Sequence, residues 1–495
     1  MVTFAWWLSE FSLVLIFFVV CWLWLNRKEI VLSRKLPGPR ILPLVGNALE
    51  FWCKDEDIFD RAVELVGSYP SPMRFWFGPK FTVMLRDAEH IEKILPYAKF
   101  SNKSEDIYKF LKVFNGEGLI TSSGAKWKKD RKLISPLFLK RSVMKYFRAI
   151  LRHAQILADI LSQKVDGATF NVEHYIHRAT TDIVNETVLG IRSDAQNGEL
   201  DELLCHIARC YEIVHRRIIK FWLQNDFLYM LSNYYSEQQA AIRVIQEFFN
   251  RCLKAVEARH ALPKQECGTR SVLDQMVEIR RQVPDFVISD QQMIDHMATL
   301  QSAAEDTIAV ICSFSMLMLG KYPEYQTKVF DEIVRVVGRD EALRQEHLPK
   351  LEYMDMFLKE VLRLFPIGPF IVRVASDDAN IAGCEIPKGT SIVLAIHNVH
   401  RDARYWERPD DFYPDHFLPE AARSRHPYAY IPFSAGPRGC VGKTYAQMTL
   451  KIILTTVLQK YEIEADGSLK DLALTTDISV RSKDNIYPIR LRKRM

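Results

Sequence analysis

The chain has 495 residues, 48% of them apolar and 26% charged, a globular mix that excludes a disordered chain, a collagen-like fibre and a many-span membrane protein. Lys+Arg 66 against Asp+Glu 61 leaves a net charge of +5, so no bulk basic charge points to nucleic acid as a partner. The 9 cysteines are scattered and form no CxxC pair, which argues against a disulfide framework or zinc ribbon and for a reducing compartment.

The first predicted element is apolar. Phe11–Leu25 carries no charge, and extending it back to Phe4 adds Ser9 and Glu10 as interruptions. As a helix it is about 33 Å long, enough for a bilayer core. No small-x-small cleavage site follows it, so it reads as retained rather than cleaved. Positive charge accumulates after it, at Arg27, Lys28, Arg34, Lys35 and Arg40. The positive-inside rule then predicts a signal-anchor helix over residues 1–25 with a luminal N-terminus and a cytosolic body. Residues 26–40 are a basic hinge whose Leu36-Pro37-Gly38-Pro39-Arg40 cannot continue a helix.

Residues 41–495 read as a mainly α body with small β-sheets. Helical spacing of apolar residues recurs around 87–97, 126–163, 170–190, 200–220, 236–258, 290–319, 324–337, 351–365 and 441–460. Strand-like runs lie near 72–86, 379–395 and 485–492. The polar stretch Leu262–Arg281 predicts an exposed loop. Residues 400–439, rich in Pro, Asp, Arg and aromatics, show little periodicity, and an ordered irregular segment of that length is often functional.

One helix stands out. Ser289-x-x-Gln292 predicts a capping-box start, and Gly320 with Pro323 ends it. Ile308–Leu319 is apolar apart from Ser313 and Ser315, too short to span a membrane and therefore a buried core helix. Glu305, Asp306 and Thr307 stand just before it. Polar groups in the middle of a buried helix are paired or used, because leaving them bare is costly.

The segment Phe433-Ser434-Ala435-Gly436-Pro437-Arg438-Gly439-Cys440-Val441-Gly442 carries the chemistry. A strand over Tyr428–Phe433 and a helix from about Val441 are expected to flank a tight loop. Cys440 would then sit at a helix N-terminus, where dipole and free N–H groups favour a thiolate, with Arg438 adding positive charge. Such a cysteine suits a nucleophile or a metal ligand. Gly442-Lys443-Thr444 looks like the end of a phosphate-binding loop, but Pro437 stands where that loop needs a glycine N–H.

F-x-x-G-x-R-x-C-x-G over Phe433–Gly442 resembles the haem-binding loop of the cytochrome P-450 superfamily, the haem-thiolate monooxygenases. Glu360-Val361-Leu362-Arg363 is similar to its E-x-x-R helix, and Trp127-Lys128-Lys129-Asp130-Arg131 to its W-x-x-x-R helix. Ala303–Thr307 resembles its oxygen-activation motif, and Pro366–Pro369 with Arg373 the segment after E-x-x-R. His400-Arg401-Asp402, Trp406 and Pro414–Phe417 resemble the irregular region before the haem loop. The anchor and hinge are those of the microsomal class. Arg216–Tyr229 looks like insect members of the clan that includes fatty-acid ω-hydroxylases, where it would form a lid over the substrate channel.

The resemblance implies a P-450 fold, haem b and a monooxygenase. One atom of O2 would enter a lipophilic substrate, whether fatty acid, hormone-like lipid or xenobiotic, and the other would leave as water. NADPH would act through NADPH–cytochrome P-450 reductase, with cytochrome b5 as an optional second donor, at the endoplasmic reticulum membrane. Cys440 would be the axial thiolate of the iron, and its electron donation favours O–O cleavage. Trp127, Arg131, Arg373 and Arg438 would clamp the haem propionates. Phe433 would shield the thiolate and Gly442 would belong to the same binding loop. Asp306 and Thr307 would relay protons. Ala303 stands where clan members carry a glutamate that links to haem, so non-covalent haem is expected, and Glu305 should point away. His416 replaces a usual arginine, Ala304 a glycine and Ile308 a Thr or Ser. The alternative function is a haem-thiolate protein that binds lipid or rearranges peroxides without external electrons.

Overall fold

The long helix organises the molecule. In the computed structural model, which describes residues 2–261, 270–282 and 288–494, it runs Asp290–Lys321. Its start is the expected reciprocal cap: the Ser289 hydroxyl accepts from the Gln292 N–H at 3.2 Å and the Gln292 side chain accepts from the Ser289 N–H at 3.0 Å. Pro323 occupies the first turn of the next helix, Pro323–Val336, where its missing N–H costs nothing. The helix is apolar and long enough to cross a membrane, yet it is buried in protein from Met293 to Gly320 apart from Ala303, Ala304 and Thr307. Helices Glu173–Val184 and Lys443–Lys460 and strand Tyr461–Glu464 pack against it.

Helices form the bulk of the body and strands form small sheets at its side. The largest sheet has four strands in the order Met73–Phe77, Lys80–Leu85, Ser391–Ala395, Phe370–Val374. Its inner pair is parallel and the outer pairs antiparallel. The predicted strand regions 72–86, 379–395 and 485–492 each contain strands. So the mainly α fold with small sheets holds.

Two local expectations fail. Residues 272–281 of the predicted loop 262–281 belong to a helix, Val272–Gln282, that buries Val272, Leu273, Met276 and Val277; residues 262–269 lie outside the described residues. Those four positions share one face at helical spacing, a stripe hidden by the polar residues around it. Tyr428–Phe433 is not a strand but a short turn at Pro427–Ala429 followed by irregular chain. The Ile431 N–H there goes to His400 Nε2 at 2.9 Å instead of to a neighbouring strand.

At the N-terminus, helix Val2–Leu25 is followed at once by helix Arg27–Arg34. Leu13, Ile16, Phe17, Phe18 and Trp24 are exposed, whereas Trp22 is buried against Trp76 of the body, ring centroids 5.3 Å apart. Residues 33–38 are fastened down as well. Arg74 donates to the carbonyls of Ser33, Leu36 and Gly38 at 3.0, 2.7 and 3.2 Å. Gly38 has φ +155°, and a Cβ there would strike Arg74, so the proline elbow is a fixed joint and glycine is required in it.

Candidate active site

The cysteine loop is built by backbone. Gly436 has φ +68° and a Cβ on it would collide with the Leu95 carbonyl, so glycine is obligatory there. The Cys440 N–H donates to the Phe433 carbonyl at 2.9 Å and the Gly439 N–H to the Gly436 carbonyl at 2.9 Å. Helix Lys443–Lys460 begins two residues later than expected, with Gly442 as its N-cap. Even so, the N–H groups of Gly442 and Lys443 point hydrogen bonds at the Cys440 sulfur. Burial nevertheless pushes the thiol above its ordinary range, and these N–H groups, Arg131 and Lys443 offset that only in part. The cations beside the sulfur are therefore Arg131 and Lys443, and not Arg438 as the sequence suggested. The Cys440 side chain is open to the space beside it, and such a thiol becomes a thiolate when a metal ion binds it.

Cys440 opens onto a cavity of about 570 Å³, and Phe433, Gly442, Trp127, Arg131, Arg438, Asp306 and Thr307 all line it. The sequence thus places eight of nine site residues on one cavity. Arg373 is the ninth; it is buried behind the wall, its guanidinium on the Val372 carbonyl at 3.0 Å and the Ser434 hydroxyl at 3.4 Å.

The cations are unbalanced. Arg438 donates to the carbonyls of Ser101, Leu119 and Ser122 at 2.6, 3.2 and 2.5 Å and lies 4.0 Å over the Trp127 ring. Lys103, which sequence reasoning missed, lines the same wall and donates to the Tyr108 hydroxyl at 2.9 Å. Burial, then repulsion from Arg373 and Arg438, holds Lys103 well below the ordinary lysine range. Burial and the neighbouring Arg373 bring Arg438 down to about 9. The carboxylates that line the cavity are Asp306 and Asp477, and both are taken by Arg481. Buried like charges without a counter-ion are costly, so this end of the cavity is a socket for a dianion. Haem, with two propionates and an iron seeking an axial ligand, fits that donor set.

The opposite wall comes from the long helix. The Thr307 hydroxyl donates to the Ala303 carbonyl at 2.7 Å. Asp306, expected to relay protons with Thr307, is paired: one oxygen meets Arg481 at 2.5 Å and the other accepts from Ser479 at 2.8 Å. Burial opposes its charge, but Arg481 and His177 outweigh burial and hold its carboxyl below the usual range. Arg481 also pairs with Asp477 at 2.7 Å. No sequence signal links positions 306 and 481, because they meet only through the tertiary fold. Glu305 is turned away as expected. It is fully buried and pairs with His177, which also meets Glu173 at 3.0 Å. Burial opposes the His177 charge, and the two carboxylates outweigh it.

Glu360 and Arg363 play the structural part assigned to them. Arg363 grips both Glu360 oxygens at 2.7 and 2.8 Å and donates to the carbonyls of His400, Pro409 and Asp411. His416 is 3.2 Å from Glu360. It takes the place of the usual arginine with a hydrogen bond, while Arg425 stacks on Trp406 at 3.7 Å nearby.

Comparisons with known proteins agree with this geometry. The Cytochrome P450 family profile matches residues 36–488. The chain is 33% identical to Cytochrome P450 4c3 of Drosophila melanogaster over 474 residues, covering 91% of this chain and 88% of that one. It is 33% identical to Cytochrome P450 4V2 of Homo sapiens over 470 residues, covering 92% and 89%. In fold it matches the crystal structure of the cytochrome P450DA heme domain with TM-score 0.80 at 22% identity, over 93% of this chain and 98% of that one. Haem b is held without an ester link, since the side chain at position 303 is a methyl and Glu305 points away from the cavity. A cysteine-floored, cation-rimmed cavity under a long buried helix, matched over nearly the whole chain, places this protein in the cytochrome P450 family of monooxygenases.

Proposed function

We propose that the protein oxygenates lipophilic small molecules at the endoplasmic reticulum membrane, drawing electrons from NADPH through cytochrome P-450 reductase. The observation that carries the reading is the cavity itself: Cys440 and a cation socket at one side, and a wall of Phe51, Phe59, Phe75, Leu111, Ile308 and Val372 around the rest. Bound haem supplies the oxygen activation. The chain's own part is to ligate through Cys440, to anchor the propionates through Arg131, Arg438, Lys103 and Trp127, and to exclude water with apolar side chains. Arg373 supports the socket from behind. In this reading residues 1–25 anchor the chain, residues 26–40 set the angle at which it leans on the bilayer, and residues 41–495 do the chemistry in the cytosol. The exposed apolar side chains of Leu13, Ile16, Phe17, Phe18 and Trp24 support the anchor.

Electron entry is proposed at the outer side of the cysteine loop. Trp127 and Arg131 line both the internal cavity and an outer concavity that also holds Lys128, Lys132 and Pro437, so one layer of side chains separates the socket from solvent. Lys128, Lys129, Lys132 and Lys443 are exposed and suit an acidic partner steered by charge. The expected result for Lys128→Glu with Lys129→Glu is a drop of about tenfold in reductase-supported turnover, greatest at low salt. Peroxide-supported turnover should stay within twofold. Equal loss in both assays would mean that the lysines serve the helix alone. Wild-type protein that turns over without any reductase would instead favour the peroxide-rearranging alternative.

Thr307 lines the cavity within the Ala303–Thr307 motif and carries a hydroxyl proton that it gives to the Ala303 carbonyl, whereas Asp306 is held by Arg481. Thr307→Ala should keep haem and substrate binding while NADPH oxidation runs increasingly to free hydrogen peroxide. Product formed per NADPH should fall several-fold, on the order of 1 kcal/mol of lost orientation. Wild-type coupling in that variant would remove Thr307 from the catalytic set.

A further inference from the structure

Helix Glu105–Asn115 ends on the cavity wall, and Asn115 is its last residue. Several polar side chains of that wall are turned to partners of their own: the Thr307 hydroxyl donates to the Ala303 carbonyl, Ser479 to Asp306, and Asp306 and Asp477 hold Arg481. Half of the Asn115 amide is used in the same way, its oxygen accepting from the Ser302 hydroxyl at 3.2 Å. The other half is not. The amide nitrogen donates to nothing among the described residues, yet it keeps open surface instead of being sealed in protein. Asn115 is only 3% exposed, and the surface it keeps belongs to the cavity it lines. An amide nitrogen carries two N–H donors.

The amide is held in place from three sides. Ser302 stands on the long helix, and the Tyr211 phenol of helix Asp201–Ile219 faces it, so a pair of hydroxyls backs the amide oxygen. Just beyond Asn115 the chain is pinned: the Glu117 N–H donates to Asp295 at 2.9 Å and the Thr121 hydroxyl to the Gly116 carbonyl at 2.7 Å. A donor fixed in this way gives up little freedom when a ligand arrives. The charges around it are acidic or spent. Burial, then the Asp306 and Glu305 carboxylates, holds the Tyr211 phenol well above its ordinary range, so it stays protonated. Arg481 is divided between Asp306 and Asp477, and Arg217 pairs with Asp226. The socket cations are claimed by the propionates once haem is bound. This part of the wall therefore offers an N–H group without a spare positive charge.

We infer that Asn115 is a specificity-determining residue whose amide nitrogen donates to an uncharged acceptor oxygen of the substrate, so that long apolar molecules carrying a ketone or ester oxygen are favoured over plain hydrocarbons and over ionised acids. The inference rests on the proposed function in taking this cavity as the substrate site. An ionised carboxylate brought here would lose its hydration and find no cation to replace it. A carbonyl oxygen gives up less and meets a donor that is already aimed.

The test is a titration of the full-length haem protein at pH 7.5 with 2-dodecanone, dodecane and dodecanoate, following the substrate-induced Soret shift. The ketone should bind about three- to tenfold more tightly than dodecane, the range expected of one neutral hydrogen bond, and more tightly than dodecanoate. Asn115→Leu keeps the side-chain volume, and Ser302 still has the Thr299 carbonyl as acceptor at 3.2 Å. That variant should lose the preference for the ketone while binding dodecane within about twofold of wild type. Infrared spectra of isotope-labelled 2-dodecanone bound to the wild-type protein guard against an Asn115→Leu chain that fails to fold: the carbonyl stretch should lie below its position in hexane. An unshifted stretch in the wild type, an unchanged ketone preference in folded Asn115→Leu, or dodecanoate as the tightest of the three, would overturn the inference while leaving the proposed function standing. No Soret shift with any of the three probes would overturn both.

Discussion

Arg363→Ala is expected to yield little folded, haem-loaded protein. Both partners of the Glu360–Arg363 pair are fully buried, and removing one side of such a pair costs about 3–5 kcal/mol because the other charge is left uncompensated. The loss is compounded by the carbonyls of His400, Pro409 and Asp411, which have Arg363 as donor. Total stability of a folded domain is about 5–15 kcal/mol, so this one change uses a large share of it. Glu360→Gln should be milder, since an amide oxygen can still accept from the Tyr413 N–H, now 2.8 Å from Glu360. Thermal melts followed by circular dichroism, with haem per polypeptide measured in parallel, check this. An Arg363→Ala protein that melts within a few degrees of wild type with full haem would show that the irregular region holds itself together.

Arg438→Leu should lose haem rather than fold. Leucine fills much of the same volume, but it leaves the carbonyls of Ser101, Leu119 and Ser122 without their donor and removes one charge from the socket. Charge-assisted hydrogen bonds to a propionate are worth about 1.5–3 kcal/mol each. Transfer of haem to an apoprotein acceptor should therefore speed up at least about tenfold. Lys103→Met should give a smaller increase, because Arg438 and Arg131 remain. A wild-type transfer rate in Arg438→Leu would mean that its role is confined to tying the loop to residues 101–122.

What could be read from the sequence was what local chain geometry decides. The cysteine loop was legible because its glycine, cysteine and backbone hydrogen bonds lie within ten consecutive positions, and Gly436 has no alternative. Glu305 was placed correctly because two residues along a helix turn a side chain about 200° away. The Ser289 cap and the buried Ile308–Leu319 segment followed from the same local rules. What escaped depends on distant partners. Arg481 pairs with Asp306 from 175 residues away, so the sequence could say that Asp306 is paired or used but could not name its partner. Lys103 carries no motif that marks it, and only the fold puts it beside Arg373 and Arg438. Tyr428–Phe433 had the composition of a strand but no neighbouring strand to pair with, and Val272–Gln282 hid a buried stripe in a polar stretch.

The central claim is that Cys440 is the axial ligand at the floor of the cavity. It is tested most directly by the absorption spectrum of the reduced, carbon-monoxide-treated full-length protein beside Cys440→Ala and Cys384→Ala. A thiolate ligand gives a far-red-shifted Soret band. That band should appear in the wild-type and Cys384→Ala proteins and be absent from Cys440→Ala. A band that survives in Cys440→Ala, or that disappears with Cys384→Ala, would contradict the assignment.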